Sequence, residues 1–228
     1  MTRDQLTTLD DQALVARINS VGARGPIAAT AFTILYERHR DFVLRVAIRA
    51  CNHESDALDA SQDTFAYLFS KFPGFVLTSK LTTFLYPVAT HQAMSKRRAR
   101  CKAHSGHAGD EHDPLDQQLS PTRPEAMNDA RLRDLHTALA GLSTIHREVV
   151  LLRFVEDMSL EEIALAMHVP LGTVKSRLHF AINAMRSDPG VRRFFGYETD
   201  PTPASTPTPP TLGTSAQRLS AAEKADSA

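Results

Sequence analysis

At 228 residues with 42% hydrophobic side chains, the chain has room for one large or two small domains, and 7% aromatic content without Trp suits modest helical cores. Its 26 basic and 26 acidic residues cancel, which excludes a global field that draws nucleic acid, so any DNA binding must come from local segregation of charge. Cys51 and Cys101 alone exclude a disulfide framework, no window approaches the ~18 apolar residues of a membrane span, and MTRDQLTT lacks the pattern of a signal peptide; a cytoplasmic protein is expected.

In chain order, Leu9 to Ser20 predicts a helix with Asp10 or Asp11 as N-cap and Leu14, Val15 and Ile18 on one face. The GARGP run breaks it. Ala28 to Ala50 is the longest periodic stretch of this half, a core helix burying Phe32, Leu35, Tyr36, Phe42, Val43, Val46 and Ala47. Asp56 to Phe75 sets Asp56, Asp59 and Asp63 at near-helical steps beside an apolar stripe of Leu58, Phe65, Leu68 and Phe69. Taken alone, such an acidic stripe is a solvated face.

A loop with Pro73 and Gly74 follows, then a helix-like segment from Leu81 ending in Lys96, Arg97, Arg98, Arg100 and Lys102. Cations interleaved with Phe75, Phe84 and Tyr86 suit single-stranded DNA, because rings stack on unpaired bases while cations follow the backbone. The competing reading of the rings is a core aromatic cluster. Pro87 lacks an N–H and is expected to kink or delimit this helix.

Residues 103–129 are polar with no apolar period and read as a flexible linker. Cys101, His104, His107 and His112 carry metal-ligating atoms, but their spacing is irregular and their context linker-like, so no metal is expected. Leu132, Leu135 and Leu139 then mark a helix, and Ser143 caps the next. After Arg193 the Pro/Thr/Ser-rich sequence cannot bury a core and reads as a disordered tail.

The strongest pattern lies between Gly141 and Arg186. Leu160, Ile163, Ala164 and Met167 share one face of a short helix, with Ser159 and Glu162 as a capping box at its start. Pro170 and Gly172 set a turn, after which Leu171, Val174, Leu178, Ala181, Ile182 and Met185 draw a second stripe. Opposite that stripe lie Thr173, Ser176, His179, Phe180 and Asn183, flanked by Lys175 and Arg177, with no acidic residue from Gly172 to Arg186. A helix with cationic flanks and short polar side chains on its crest suits a major groove. The pattern is that of a helix-turn-helix.

The REVVLLR, SLEEIA and GTVKSRL segments resemble region four of bacterial extracytoplasmic-function (ECF) sigma factors, with His168 where the family usually has Gly. Asp56, Ala57, Asp59, Gln62 and Phe65 are similar to the family's region-two signature, Leu58 replacing an acidic residue. Phe84, Leu85, Val88, Ala89 and His91 stand where the family has a Trp-Leu-x-x-Ile-Ala-x-Asn pattern before a basic cluster. The resemblance implies that Asp56, Asp59 and Gln62 dock on the clamp helices of core RNA polymerase. It further implies that Phe75, Phe84, His91, Lys96, Arg97, Arg98 and Arg100 contact the minus-ten element and hold a flipped base. Thr173, Lys175, Ser176, Arg177, His179 and Phe180 would read the minus-thirty-five element, the same domain touching the polymerase flap.

The expectation is therefore an all-α chain of two small helical domains on a flexible linker. Residues 1–102 would form the region-two-like domain, 103–129 the linker, 130–193 the helix-turn-helix domain and 194–228 the tail. The implied function is promoter selection and melting for RNA polymerase, without catalysis or cofactor, with core polymerase, promoter DNA and an anti-sigma factor as partners. The alternatives are a stand-alone helix-turn-helix regulator, which has no need of the Asp59/Gln62 face, and a metal sensor built on the Cys101–His112 cluster.

Overall fold

The computed structural model describes residues 2–22, 25–105 and 130–194, all of them within one contact-defined unit, Met1–Tyr197. Among the described residues there are helices and no strands: α1 (Arg3–Thr7), α2 (Asp11–Val21), α3 (Pro26–Cys51), α4 (Glu54–Ser70), α5 (Leu81–Ser105), α6 (Ala130–Gly141), α7 (Thr144–Phe154), α8 (Leu160–Met167), α9 (Leu171–Ser187) and α10 (Pro189–Phe194). Most of the expected linker and tail lies outside the described residues. At their edges, residues 103–105 continue α5 and residue 194 closes α10.

Helices α2 to α5 form the first bundle, with α3 at its centre against α2, α4 and α5. Asp10 is the N-cap of α2, its side chain accepting from the Ala13 N–H, and Pro26 opens α3 at the first helical position, where its missing N–H costs nothing. The α3 stripe is buried as the spacing requires, at Leu35, Phe42, Val43, Val46 and Ala47, while Tyr36 stays 39% exposed. On α4 the expected apolar stripe is buried at Phe65 and Leu68 but not at Leu58 and Phe69. Ala57, Ala60, Thr64, Phe65 and Leu68 face the core, whereas Leu58 and Phe69 point outward.

Pro87 does not end α5. The ring removes only the bond to the Thr83 carbonyl, and burial of Leu81, Leu85, Ala89 and Ala93 along one face holds the helix together across the gap. Two ion pairs tie α5 to α4: Lys96 to Asp63 at 2.8 Å and Arg100 to Asp56 at 3.1 Å. Helix α1, too short to show a period, packs on α3, and the Arg3 guanidinium reaches Glu37 at 2.7 Å.

In the second half α7, α8 and α9 enclose Val149, Leu152, Met158, Ile163, Ala166 and Val174. The Ser159/Glu162 capping box is present, with Glu162 N–H to Ser159 Oγ at 3.1 Å and Ser159 N–H to Glu162 Oε2 at 2.8 Å. His168 closes α8 in the left-handed region at φ 55°. His is among the residues that tolerate that conformation without glycine. The turn is therefore made by His168, Val169 and Pro170, and Gly172 lies inside α9 rather than in the turn. Arg147 extends across the α6 terminus and donates to the carbonyls of Leu139, Ala140 and Leu142 at 2.7 to 3.0 Å.

Two outcomes follow from this packing. Ile163→Ala removes a fully buried side chain from the helix-turn-helix core and lowers the urea-unfolding free energy by about 2–5 kcal/mol, while Leu165→Ala, two residues away and 63% exposed, changes it by less than about 0.5 kcal/mol. At α2, burial alone would raise the Asp11 carboxyl, but hydrogen bonding and charge attraction from His39 and Arg38 outweigh it and hold Asp11 below the ordinary Asp value. A depressed carboxylate contributes stability above its unfolded pKa and loses it as pH falls through the folded value. The Tm advantage of the native chain over Asp11→Asn is thus full just above the unfolded Asp value, at about pH 5, and shrinks below about pH 4.

Candidate nucleic-acid interface

The crest of α9 faces solvent at Lys175, Ser176, His179 and Phe180, with Thr173 and Arg177 half-buried at its margins, while Val174 and Ala181 are buried beneath. Val174, Leu178 and Ala181 fix the helix by its apolar face, which leaves the crest free of packing duties. Ser176 Oγ donates to the Thr173 carbonyl at 3.0 Å, so its hydroxyl offers lone pairs outward and suits a base-edge donor. The Asn183 side-chain amide lies 2.9 Å from His179 Nε2, one turn along the helix. Phe180 is 62% exposed, with the His146 ring 6.2 Å away on α7, so it stands out from the crest instead of folding into the core.

The second candidate surface is a cleft of about 720 Å³ beside the loop before α5. Tyr67, Phe75, Phe84, Pro87 and His91 line it. Its rings form a continuous set: Phe72 to Phe75 at 5.5 Å, Phe75 to Phe84 at 4.8 Å edge-on, and Phe84 stacked with Tyr67 at 6.4 Å. The two sequence readings of Phe75 and Phe84 are thus not exclusive, since both rings are half-buried among aromatics and both still border open space. Asn19, which no sequence signal picked out, pins the loop by accepting from Gly74 N–H at 2.9 Å and donating to the Phe75 carbonyl at 2.8 Å.

The basic run divides into two sets. Lys96 and Arg100 turn back to α4, and the Asp63 hydrogen bond raises the Lys96 pKa above its ordinary value. Arg100 also donates to the Cys51 carbonyl at 3.2 Å. Arg98 and Lys102 are exposed, Arg97 is half-buried and His91 is exposed at the cleft margin. The α4 carboxylates divide in the same way. Asp56 is held between His53 and Arg100, whereas Asp59 and Gln62 face solvent with Leu58 beside them.

No group of three or more His, Cys, Asp or Glu side chains is placed to hold a metal ion among the described residues. Cys101 is exposed, and His107 and His112 lie outside the described residues. No helix among the described residues is long and apolar enough to cross a membrane.

Comparison with known proteins bears on both halves. The family model described as Sigma-70 region 2 matches residues 35–102, and the one described as Sigma-70, region 4 matches residues 132–185, just over half the chain between them. The ECF RNA polymerase sigma factor SigE of Mycolicibacterium smegmatis is 30% identical over 146 residues, covering 64% of this chain and 56% of that protein. SigL of Mycobacterium tuberculosis is 29% identical over 174 residues, covering 75% and 94%, and SigW of Bacillus subtilis is 25% identical over 163, covering 68% and 87%. Among solved structures, the sigma factor RpoE of Bartonella quintana, in complex with the anti-sigma factor NepR, shares the fold with a TM-score of 0.51 at 22% identity, over 74% of this chain and 98% of that one. CnrH in complex with the cytosolic domain of CnrY also gives a TM-score of 0.51, at 20% identity over 83% and 99%. Both sigma regions in chain order and relatives of one kind, matched over 56% to 94% of their own length, agree: the chain belongs to the ECF family of RNA polymerase sigma factors.

Proposed function

We propose that the chain binds core RNA polymerase, directs it to specific promoters and helps melt them, working in the cytoplasm as a detachable specificity subunit. The observation that carries this reading is the coexistence of three surfaces: the exposed Asp59/Gln62 face of α4, the ring-lined cleft beside α5 and the exposed, acid-free crest of α9. A stand-alone regulator needs only the third. Two weak DNA sites on one chain also reinforce one another, because binding at one supplies a high effective concentration for the other.

In this reading Asp59 and Gln62 dock on the polymerase clamp, and Asp56 acts through them as a structural tie to α5, given its pairing with Arg100. Phe75 and Phe84 offer a stacking platform for an unpaired minus-ten base, with His91 at its edge and Arg97 and Arg98 nearest the phosphates. Lys96 and Arg100 contribute mainly by holding α5 on α4. Lys175 and Arg177 position the minus-thirty-five duplex while Thr173, Ser176, His179 and Phe180 meet base edges, an exposed phenyl ring being suited to a thymine methyl. An anti-sigma factor is a further partner in keeping with the complexes formed by the two structural relatives.

Reconstitution with core polymerase tests this. The native chain is expected to co-elute with core and to start transcription selectively from genomic fragments, and Asp59→Lys to lose both while keeping its helical content and its duplex binding. Duplex binding without any core binding by the native chain would leave the stand-alone regulator in its place. On the duplex itself, His179→Ala lowers discrimination at one base pair by about 1–3 kcal/mol, whereas Lys175→Ala weakens all sequences alike, read by competition binding to promoter variants.

A further inference from the structure

Beyond Phe75 and Phe84, the cleft wall carries a third ring, Tyr67, which comes from α4. Asp63, Tyr67 and Lys71 follow one another at four-residue steps, Lys71 closing α4 as its C-cap, and so share one stripe of the helix. That stripe borders α5. Asp63 binds Lys96 of α5 at 2.8 Å, and one turn later Tyr67 lies beside Phe84 of α5 with ring centroids 6.4 Å apart. A further turn places Lys71 Nζ 4.4 Å from the Tyr67 ring centroid.

The Tyr67–Phe84 pair differs from its neighbours in orientation. Its planes are only 11° apart, whereas the other ring pairs of the first bundle meet at 61° to 89°. Edge-to-face pairs lock rings against one another. Parallel rings instead present faces in one orientation, as the successive bases of a strand do. The 6.4 Å between centroids is about twice the ~3.4 Å rise of one stacked nucleotide, so neighbouring nucleotides of an unstacked strand reach both rings. Tyr67 also keeps 38% of its surface exposed, where a ring serving only the core would be buried.

Lys71 differs from the nearby cations in the same direction. Lys80, Lys96 and Arg100 each have a carboxylate partner, while no carboxylate among the described residues pairs with the exposed Lys71. Its ammonium rests on the Tyr67 ring alone, and a cation on an exposed ring is held more weakly than a stacked base.

We propose that Tyr67 and Lys71 form a further single-strand site. A second unpaired base, next to the one on Phe75 and Phe84, takes the Tyr67 face that Lys71 now covers, and the displaced ammonium moves to the phosphate joining the two nucleotides. The site rests on the single-strand role proposed for the cleft. Stacking serves every base, so it adds grip on the melted strand without adding to the sequence that is read.

The test uses the full chain assembled with core polymerase and a fluorescent non-template strand from a promoter that this holoenzyme recognises. Tyr67→Ala and Tyr67→Leu should each weaken strand binding roughly tenfold, whichever base stands at the second position, while Tyr67→Phe and Tyr67→Trp stay within about twofold of the native chain. Leu keeps apolar bulk against Phe84 but offers no π face, so it separates stacking from packing. Lys71→Ala should reduce the slope of log affinity against log salt by about 0.7, and Lys71→Arg should leave it unchanged. Circular dichroism and co-elution with core establish that each variant is folded and assembled. Native binding by Tyr67→Leu, or an unchanged salt slope in Lys71→Ala, overturns the site and leaves the cleft's role standing. A native holoenzyme that starts transcription selectively yet binds no single strand overturns both.

Discussion

Eight residues are too few for a helix to hold its shape alone in water, because the first turn costs most of what the later hydrogen bonds return. Helix α8 therefore exists only by what surrounds it: a reciprocal cap at Ser159 and Glu162, a left-handed stop at His168 and a buried face made by Ile163 and Ala166. The direction of α9 follows from that stop, since three residues, His168 to Pro170, are all that separate the two helices. Every statement about which side chains meet a groove depends on this short element being rigid. The same carboxylate that caps it also receives Lys80 from the other half of the chain, so local and long-range order share one residue.

The first bundle solves a different problem, that of keeping aromatic rings partly exposed without letting them collapse. Phe32, Phe69, Phe72, Phe75, Phe84 and Tyr67 contact one another in sequence, mostly edge to face, which gives each ring a defined tilt. Asn19 then anchors the loop backbone on both sides of Gly74 and Phe75. A stacking platform needs this kind of support, because a ring free to rotate would lose entropy each time it captured a base.

What the sequence disclosed was local in origin. The cap at Asp10, the box at Ser159 and Glu162, the αL tolerance of His168 and the apolar stripe of α9 depend on residues within a turn or two of each other, and periodicity exposes such relations. The acidic stripe of α4 was visible, but not its division, because whether Asp56 is bound and Asp59 free is decided by Arg100 on another helix. Arg45 and Arg49 look like ordinary surface cations until Glu148 and Glu156, about a hundred positions later, are brought beside them. Pro87 misled for a related reason. Propensity reports the isolated helix, and four buried residues on the packed face of α5 outweigh one missing hydrogen bond.

Internal pairing also changes how the basic run beyond Met94 should be counted. Five cations stand there, yet Lys96 and Arg100 already have carboxylate partners on α4. A cation so engaged neutralises no phosphate and releases none of the counterions condensed on a nucleic acid, and each phosphate contact it forgoes removes about 0.7 from the slope of binding against salt on a single strand. The grip on melted DNA proposed for this surface is accordingly less sensitive to ionic strength than the run of basic letters suggests. In the proposed function, stacking on the rings beside α5 then carries a larger share of the hold on an opened promoter than five free cations would leave to it.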